Sequence, residues 1–541
     1  MPTNTLRDLC PLTASFIDAS SEAVVTSSLA DGEEAILTVV REAANRGLAP
    51  FFVPDICDLE LALRRVARKP AGHPGTPDGM AVNPGLEIRV LESTGCAGLL
   101  ARSDETAPLP VAGREMVMVW RREGSRTAVA EPAGPEDLAA LKVVGEGIDP
   151  ASAEEMAHVE PGLMRKLLRA ALAKGIILPP PSRIRRDAAD VSNGRPLPEE
   201  AAAAETFTLQ WHLTQTCDLS CRHCYDRSPR AELPLPRALD IIADFEAFCR
   251  DRHVAGQISL SGGNPLLYPH FHEVYARAAG AGFNLAILGN PASRADMDAI
   301  LRIARPVYFQ VSLEGLPEHN DSIRGQGHFR RVMEFLDLLR ELDVQGQVML
   351  TLTRDNMAQV LPLAEMLEGR VWGLSFNRLS PVGRGAALAL PDPAAFRDFT
   401  AAYCDAAARL SVLSFKDNML NVRLAETGRP TFGGCTGFGC GAAFNFMALL
   451  PDGDVHACRK FPSPIGHIAA ATLAGIYDGP AASSHRKRSL ACRDCAITAV
   501  CGGCPAVVSG LGLDISTDRD PYCPGPLISP AAPDSAAGDA L

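Results

Sequence analysis

The chain has 541 residues, 47% apolar and 21% charged. That is the balance of an ordinary globular protein, long enough for two to four domains. Its net charge of −12 excludes a global pull toward nucleic acid or anionic membranes. No run of about twenty apolar residues occurs, which argues against a spanning helix. The opening MPTNTLRDLCPLTASF lacks the basic-then-apolar order of a secretory signal. The expectation is therefore a cytoplasmic protein with no nucleic-acid and no membrane partner. In that setting sixteen cysteines point to metal ligands rather than disulfides. Three fall within 217–224, eight within 435–523, and only Cys10, Cys57, Cys96, Cys249 and Cys404 stand apart, as packed thiols.

Residues 1–110 read as mixed and helical, with helices expected over Glu33–Asn45 and Asp58–Arg68 and a Pro/Gly-rich loop over Lys69–Gly85. They carry no motif. Residues 111–180 are expected to form a winged-helix-like module. Glu115–Arg121 and Arg126–Glu131 flank a hairpin turn, three helices follow over Pro135–Gly145, Ala151–His158 and Pro161–Lys174, and Ile176–Pro179 closes as a strand. Residues 181–205 are Pro-, Arg- and Ala-rich and read as a linker, with Arg183, Arg185 and Arg186 solvated.

Over 206–387 strands and helices alternate. Strands are expected at Phe207–Leu213, Gln257–Leu260, Leu285–Gly289, Val307–Leu313, Gln347–Thr353 and Gly373–Leu379. Helices are expected at Leu235–Arg250, Phe271–Ala281, Ala295–Ala304, Phe329–Leu342 and Gln359–Leu367. Six β/α repeats predict an α/β fold with a parallel sheet, open or a partial barrel of the (β/α)6 TIM type. Catalytic groups in such folds sit at the C-terminal strand ends. Residues 388–430 read as a helical connection, 431–524 as a turn-rich cysteine-dense region too poor in periodic segments to fold on an apolar core alone, and 525–541 as a disordered tail.

Directly after the first barrel strand stands Cys217-Asp-Leu-Ser-Cys221-Arg-His-Cys224-Tyr225. Structural zinc normally takes four protein ligands, so a zinc reading requires His223 or His212 to complete the set. Three thiolates instead leave one iron of a four-iron cluster free for a cofactor. The CxxxCxxC spacing followed by an aromatic residue resembles the signature of the radical S-adenosylmethionine (SAM) superfamily. After the second strand, Ser261-Gly262-Gly263-Asn264-Pro265 resembles that family's GGE motif, with Asn264 where Glu is usual. An amide oxygen can still accept from the cofactor's ammonium, but without charge assistance. Asn290 at the third strand end, Ser312 and Glu314 at the fourth, Arg324 in His319–Gly325, and the run Arg378–Gly385 also resemble peptide-modifying members, with Glu314 where Asp is more common.

The resemblance implies that Cys217, Cys221 and Cys224 hold a [4Fe–4S] cluster whose open iron binds S-adenosyl-L-methionine. Gly262, Gly263, Asn264, Pro265, Asn290, Ser312, Glu314 and Arg324 would surround that cofactor. One electron, from a low-potential donor such as flavodoxin or ferredoxin, would cleave the sulfonium to a 5′-deoxyadenosyl radical that takes hydrogen from the substrate.

Toward the C-terminus, Cys440 is followed by Gly453, Cys458, Cys492-x2-Cys495-x5-Cys501-x2-Cys504 and Cys523. This resembles the SPASM extension of radical SAM enzymes, with Cys435 as an eighth ligand and x2 where x3 is usual before Cys504. Two auxiliary [4Fe–4S] clusters are implied, one on Cys435, Cys440, Cys458 and Cys504, the other on Cys492, Cys495, Cys501 and Cys523. Paired zinc ribbons are the alternative.

The module at 111–180 resembles leader-recognition domains of peptide maturases, which bind a leader as an added strand. A DNA-binding winged helix is its alternative, compatible with Arg121, Arg122 and Arg126. A ribosomally made precursor peptide is thus the expected substrate, and the run Leu260–Pro265 is similar to maturases of thio(seleno)oxazole-type modification. A protein side chain (as for sulfatase maturases), a small molecule, or a zinc-ribbon regulator are the rival readings. Asp226, Asp355 and Tyr225 lie at strand ends, but no side chain is assigned as a catalytic base.

Overall fold

The computed structural model describes residues 6–17, 33–69, 79–102, 108–122, 125, 127–160 and 162–527. The hairpin tip, Pro161, most of the loop over 69–85 and the tail from 528 lie outside the described residues. The chain divides into two compact units, Met1–Pro181 and Ser182–Leu541.

In the first unit, helices Glu33–Asn45 and Val53–Arg68 precede strands β1 (Ala81–Val82), β2 (Glu87–Thr94), β3 (Val111–Arg121) and β4 (Ala128–Pro132). Helices Pro135–Gly145, Pro150–Ala157 and Leu163–Lys174 follow, then β5 (Ile177–Leu178). β3 is central in an antiparallel sheet of order β2-β3-β4, and β1 pairs with β5. Alternate side chains of a strand point to opposite faces. Val117 and Val119 accordingly join the core of the N-terminal helices, while Met118 and Trp120 join a second core with Ala140, Met164 and Leu168. Trp120 Nε1 donates to the Lys174 carbonyl at 2.9 Å, satisfying the one polar atom of a buried ring. Gly175 ends the last helix at φ +80°, where glycine carries no Cβ penalty. The sheet crosses residue 110, because β2 comes from the stretch without a motif.

The second unit is built on six parallel strands in chain order: β6 (Thr206–Thr214), β7 (Ala255–Gly262), β8 (Asn284–Leu288), β9 (Tyr308–Ser312), β10 (Gly346–Leu352) and β11 (Gly373–Arg378). Helices connect them, including Leu235–Arg252 and His328–Glu341. Alternate positions of a strand share a face, and Leu209 and Trp211, Ile258 and Leu260, and Phe309 and Val311 are buried in the core with Leu350. The expected α/β fold with a partial-barrel parallel sheet is present. On the far side of β6 the sheet continues with β12 (Phe446–Leu449), parallel to β6, and then β13 (Asp454–His456) and β14 (Pro464–His467), antiparallel. Met447, Leu449 and Val507 share the barrel core, so the cysteine-dense region has apolar support after all.

The segment 181–205 is not a solvated linker. It forms helices Ala188–Ser192 and Glu199–Ala202. Arg186 donates to the carbonyls of Phe438 and Cys440 at 2.8 and 2.7 Å and lies over the Phe444 ring. A planar guanidinium fork can satisfy buried carbonyls, which a reading of composition does not register.

Candidate active site and metal centres

The three-cysteine loop leaves the end of β6 and closes one wall of a cavity of about 200 Å³. Cys217, Cys221 and Cys224 line it, together with Gly262, Gly263, Asn290, Ser312 and Arg324. The glycines are there for close backbone approach. Gly262 has φ +134°, and a Cβ on it would lie 2.3 Å from the Thr214 carbonyl oxygen. A Cβ on Gly263 would lie 2.3 Å from that of Thr216. Gly263 N and Asn264 N donate to these two carbonyls at 2.8 Å, so the end of β7 is bonded directly to the cysteine loop.

Glu314, Asn264 and Pro265 stand behind the lining rather than on it. Glu314 is buried and accepts from Arg324 Nη2 at 2.6 Å and from Thr351 N at 2.8 Å. His223 Nε2 lies 3.2 Å from Glu314 Oε1. Burial alone would raise the Glu314 pKa, but His223 and Arg324 outweigh it and hold the carboxyl well below the usual range. His223 Nε2 also lies 3.3 Å from Arg324 Nη2, and among the described residues its buried Nδ1 has no hydrogen-bond partner, in a residue that lines the cavity. Arg324 also reaches Cys221 Sγ at 3.7 Å.

Asn264 Oδ1 accepts from Leu266 N at 3.3 Å, capping the turn Pro265–Leu267. Its Nδ2 donates to Asp218 Oδ1 at 3.0 Å, and Asn290 Nδ2 donates to the same oxygen at 2.6 Å. Asp218 is a carboxylate that sequence reasoning missed, although its place next to Cys217 was the available signal.

Tyr225 and Asp226 line the cavity. Tyr225 Oη lies 3.2 Å from His212 Nε2. Burial pushes the Tyr225 hydroxyl up to about 12 and His212 down to about 3, so both stay neutral. Asp355 is not brought to the site; it pairs with Arg354 at the surface.

The late cysteines gather in two groups. Cys492, Cys495, Cys501 and Cys523 line one small cavity. Cys435, Cys440, Cys458 and Cys504 are near enough to perturb one another electrostatically. Burial raises the thiols of Cys440 and Cys523, those of Cys458 and Cys501 to about 12, and those of Cys435 and Cys492 to about 11, so ligation there must displace protons. Fully buried Arg378 joins the groups to β11. It pairs with Asp417 at 2.8 Å and with Asp520 through two bonds of 2.8 and 2.7 Å, and Asp520 accepts from Cys504 N. Asn418 Oδ1 accepts from Cys435 N at 2.8 Å, and its carbonyl faces Cys501 Sγ at 3.6 Å. Of the five scattered cysteines all are buried, but Cys10 and Cys57 are not isolated, since they hydrogen-bond each other.

Three thiols, a glycine cradle and a free buried imidazole nitrogen at one cavity fit a cluster with one open iron and an organic cofactor beside it. Among the described residues no three His, Cys, Asp or Glu side chains close around a single-ion point. A four-iron cluster, with its thiolates on separate irons, makes no such demand.

Comparison with known proteins agrees with this geometry. The profile of the Radical SAM superfamily matches residues 211–367, and that of the SPASM iron-sulfur cluster-binding domain matches 440–496. Mycofactocin maturase MftC of Mycobacterium ulcerans is 31% identical over 188 residues, 33% of this chain and 48% of the relative. AdoMet-dependent heme synthase of Oleidesulfovibrio alaskensis is 28% identical over 188 residues, 33% and 47%. The chain thus spans about half the length of these relatives. The structure of Streptococcus suis SuiB bound to S-adenosylmethionine superposes with a TM-score of 0.50 at 15% identity, covering 76% of this chain and 96% of SuiB, and that of SuiB bound to precursor peptide SuiA gives the same values. At that identity the likeness concerns the fold. With the CxxxCxxC loop on a parallel α/β sheet and the cysteine-dense region continuing that sheet, this chain carries a domain of the radical SAM superfamily over residues 211–367 and a C-terminal SPASM domain over 440–496.

Proposed function

We propose that this radical SAM/SPASM enzyme modifies a ribosomally made precursor peptide whose leader docks on the first unit. The observation that carries the reading is the outer edge of β4. Among the described residues that edge pairs with no further strand, and beside it a cavity of about 550 Å³ is lined by Pro132–Asp137, Leu167, Ala170 and Lys174. An extended peptide can add to such an edge through main-chain hydrogen bonds, with side chains received by the adjoining groove. The relatives support it, since MftC is a mycofactocin maturase and SuiB was solved bound to its precursor peptide. The two cysteine quartets each hold one auxiliary four-iron cluster in this reading, and a low-potential one-electron protein such as flavodoxin or ferredoxin supplies electrons.

When bound, the cofactor and its cluster supply one-electron cleavage of a sulfonium and a carbon radical able to abstract hydrogen. The chain's own residues do the rest. Glu314 fixes Arg324 and His223, the glycines admit the ligand, and the sheet excludes water from below. Anaerobic reconstitution should give about twelve irons per chain and 5′-deoxyadenosine from SAM, the latter lost when Cys217, Cys221 and Cys224 become alanine. Precursor peptides should bind the full chain, and Lys substitutions at Leu167 and Ala170 should weaken that binding. Turnover of a porphyrin or another small molecule, with no peptide bound, would replace this reading.

A further inference from the structure

The active-site cavity carries more positive charge than it balances. Its described lining includes Arg227, Arg324, Arg378, Arg459 and Lys460 but a single carboxylate, Asp226. Arg324 is committed to Glu314, and Arg378 to Asp417 and Asp520. Asp226 is held by Arg230 at 3.5 Å. Arg227 turns back on the cysteine loop, donating to Leu219 O at 2.6 Å and Ser220 Oγ at 2.8 Å.

Arg459 and Lys460 remain, and among the described residues neither forms an ion pair with a carboxylate. Arg459 places its guanidinium carbon 5.8 Å from the centre of the Tyr225 ring. Lys460 Nζ donates to the Arg378 carbonyl at 3.3 Å and lies 3.9 Å from Cys504 Sγ. The auxiliary quartet does not need both. A cluster of four irons, four sulfides and four thiolates keeps a net charge of about −2; Lys416, Arg186, Arg488 and Lys460 itself act on its cysteines, which leaves Arg459 as the cation in excess. The surplus also lies at one end of the cavity. Lys460 is bonded to the last residue of β11, whereas Gly262, Gly263, Asn290 and Ser312 belong to the ends of β7, β8 and β9.

We propose that Arg459, with Lys460 beside it, determines specificity by receiving a carboxylate of the substrate, so that the peptide presents an acidic side chain or its terminal carboxylate there. An arginine resting on an aromatic ring keeps its N–H edge free for a two-point bond to a carboxylate. Lysine then adds a second charge without competing for the same geometry. The inference deepens the peptide reading above and names the chemistry that the site selects.

The test is a selection of random peptides, displayed on their encoding messenger RNA, against reconstituted holoenzyme with SAM. Wild type, R459Q and R459E/K460E are compared, with iron counted in each. Wild type should enrich Asp, Glu or a free C-terminus at one position by about tenfold. R459Q should lose that bias and R459E/K460E should favour Lys or Arg instead. If R459Q assembles less iron than wild type, R459K is read in its place, with a weakened acidic bias expected. A second arm titrates N-acetylglutamate and glutarate, read as a change in the electron paramagnetic resonance spectrum of the reduced clusters. Peptides enriched without acidic bias, or with a bias that R459Q at full iron content leaves intact, overturn the inference and spare the peptide reading. Acids that bind in an Arg459-dependent way while no peptide is enriched overturn the peptide reading and keep the inference. Binding in neither arm overturns both.

Discussion

Asp218 puts a carboxylate beside the amide that stands where the glycine motif usually carries Glu. The glycine motif ends in Asn264, and the carboxylate nearest to it is Asp218, whose Oδ1 holds the amides of both Asn264 and Asn290. Replacing it with alanine frees both amides in the wall that is expected to face the cofactor. Equilibrium dialysis should then find SAM affinity about tenfold weaker, and an unchanged affinity would mean that the amides are ordered without it. Glu314 acts at the same scale. Glu314→Gln leaves Arg324 buried with no full counter-charge, so thermal unfolding should report a loss of about 3–5 kcal/mol. Cys217, Cys221 and Cys224 are legible from their spacing, and Gly262 and Gly263 from the resemblance of the motif that holds them. Asp218, Arg459 and Lys460 are not, because their contacts join separate segments of the chain, Asp218 to Asn264 and Asn290, Arg459 to Tyr225 and Lys460 to Arg378.

Elements were legible where hydrophobic pattern and burial agree. β6, β7, β9 and β11 read as strands because buried apolar residues alternate along them, Leu209 and Trp211, Ile258 and Leu260, Phe309 and Val311, Leu374 and Phe376. β2 did not, because its pattern is inverted: Ile88 and Val90 are half-exposed, while the opposite face carries Glu87 and Arg89 with Leu91. Those charges are satisfied by Arg65 and Asp58 of the helix Val53–Arg68, which no periodicity count detects. The helix Pro317–Arg324 is likewise absent from the expected helices, being polar with only Asn320 and Ile323 buried. The junction between β7 and the cysteine loop gives a test at this scale. Gly263→Ala would drive a methyl into the Thr216 carbonyl and displace the loop, so reconstituted iron should fall by about one cluster's worth, four per chain. Full iron content would show that the junction yields without cost to the loop.

At the scale of the whole molecule, two buried histidines set an acid limit. Burial lowers His212 to about 3 and His328 to about 4, against 6.5 unfolded. The unfolded chain therefore binds more protons between these values, and stability present above pH 6.5 is lost as pH falls toward 4. His328 alone should account for roughly 3 kcal/mol. Denaturant midpoints measured from pH 7 to 4.5 should decline steeply, and His328→Asn should flatten the decline; a parallel curve would refute the assignment. The pairing of β12 with β6 reaches further. The strand that carries the cysteine loop has a neighbour on each side, one from the barrel and one from the SPASM region. A chain cut before Phe446 would leave that strand as a bare edge, open to pairing with other chains. The barrel that carries the cysteine loop is not a cassette that can be lifted out, shuffled between scaffolds or shortened to a minimal core, because its first strand is completed only by a strand from beyond the barrel.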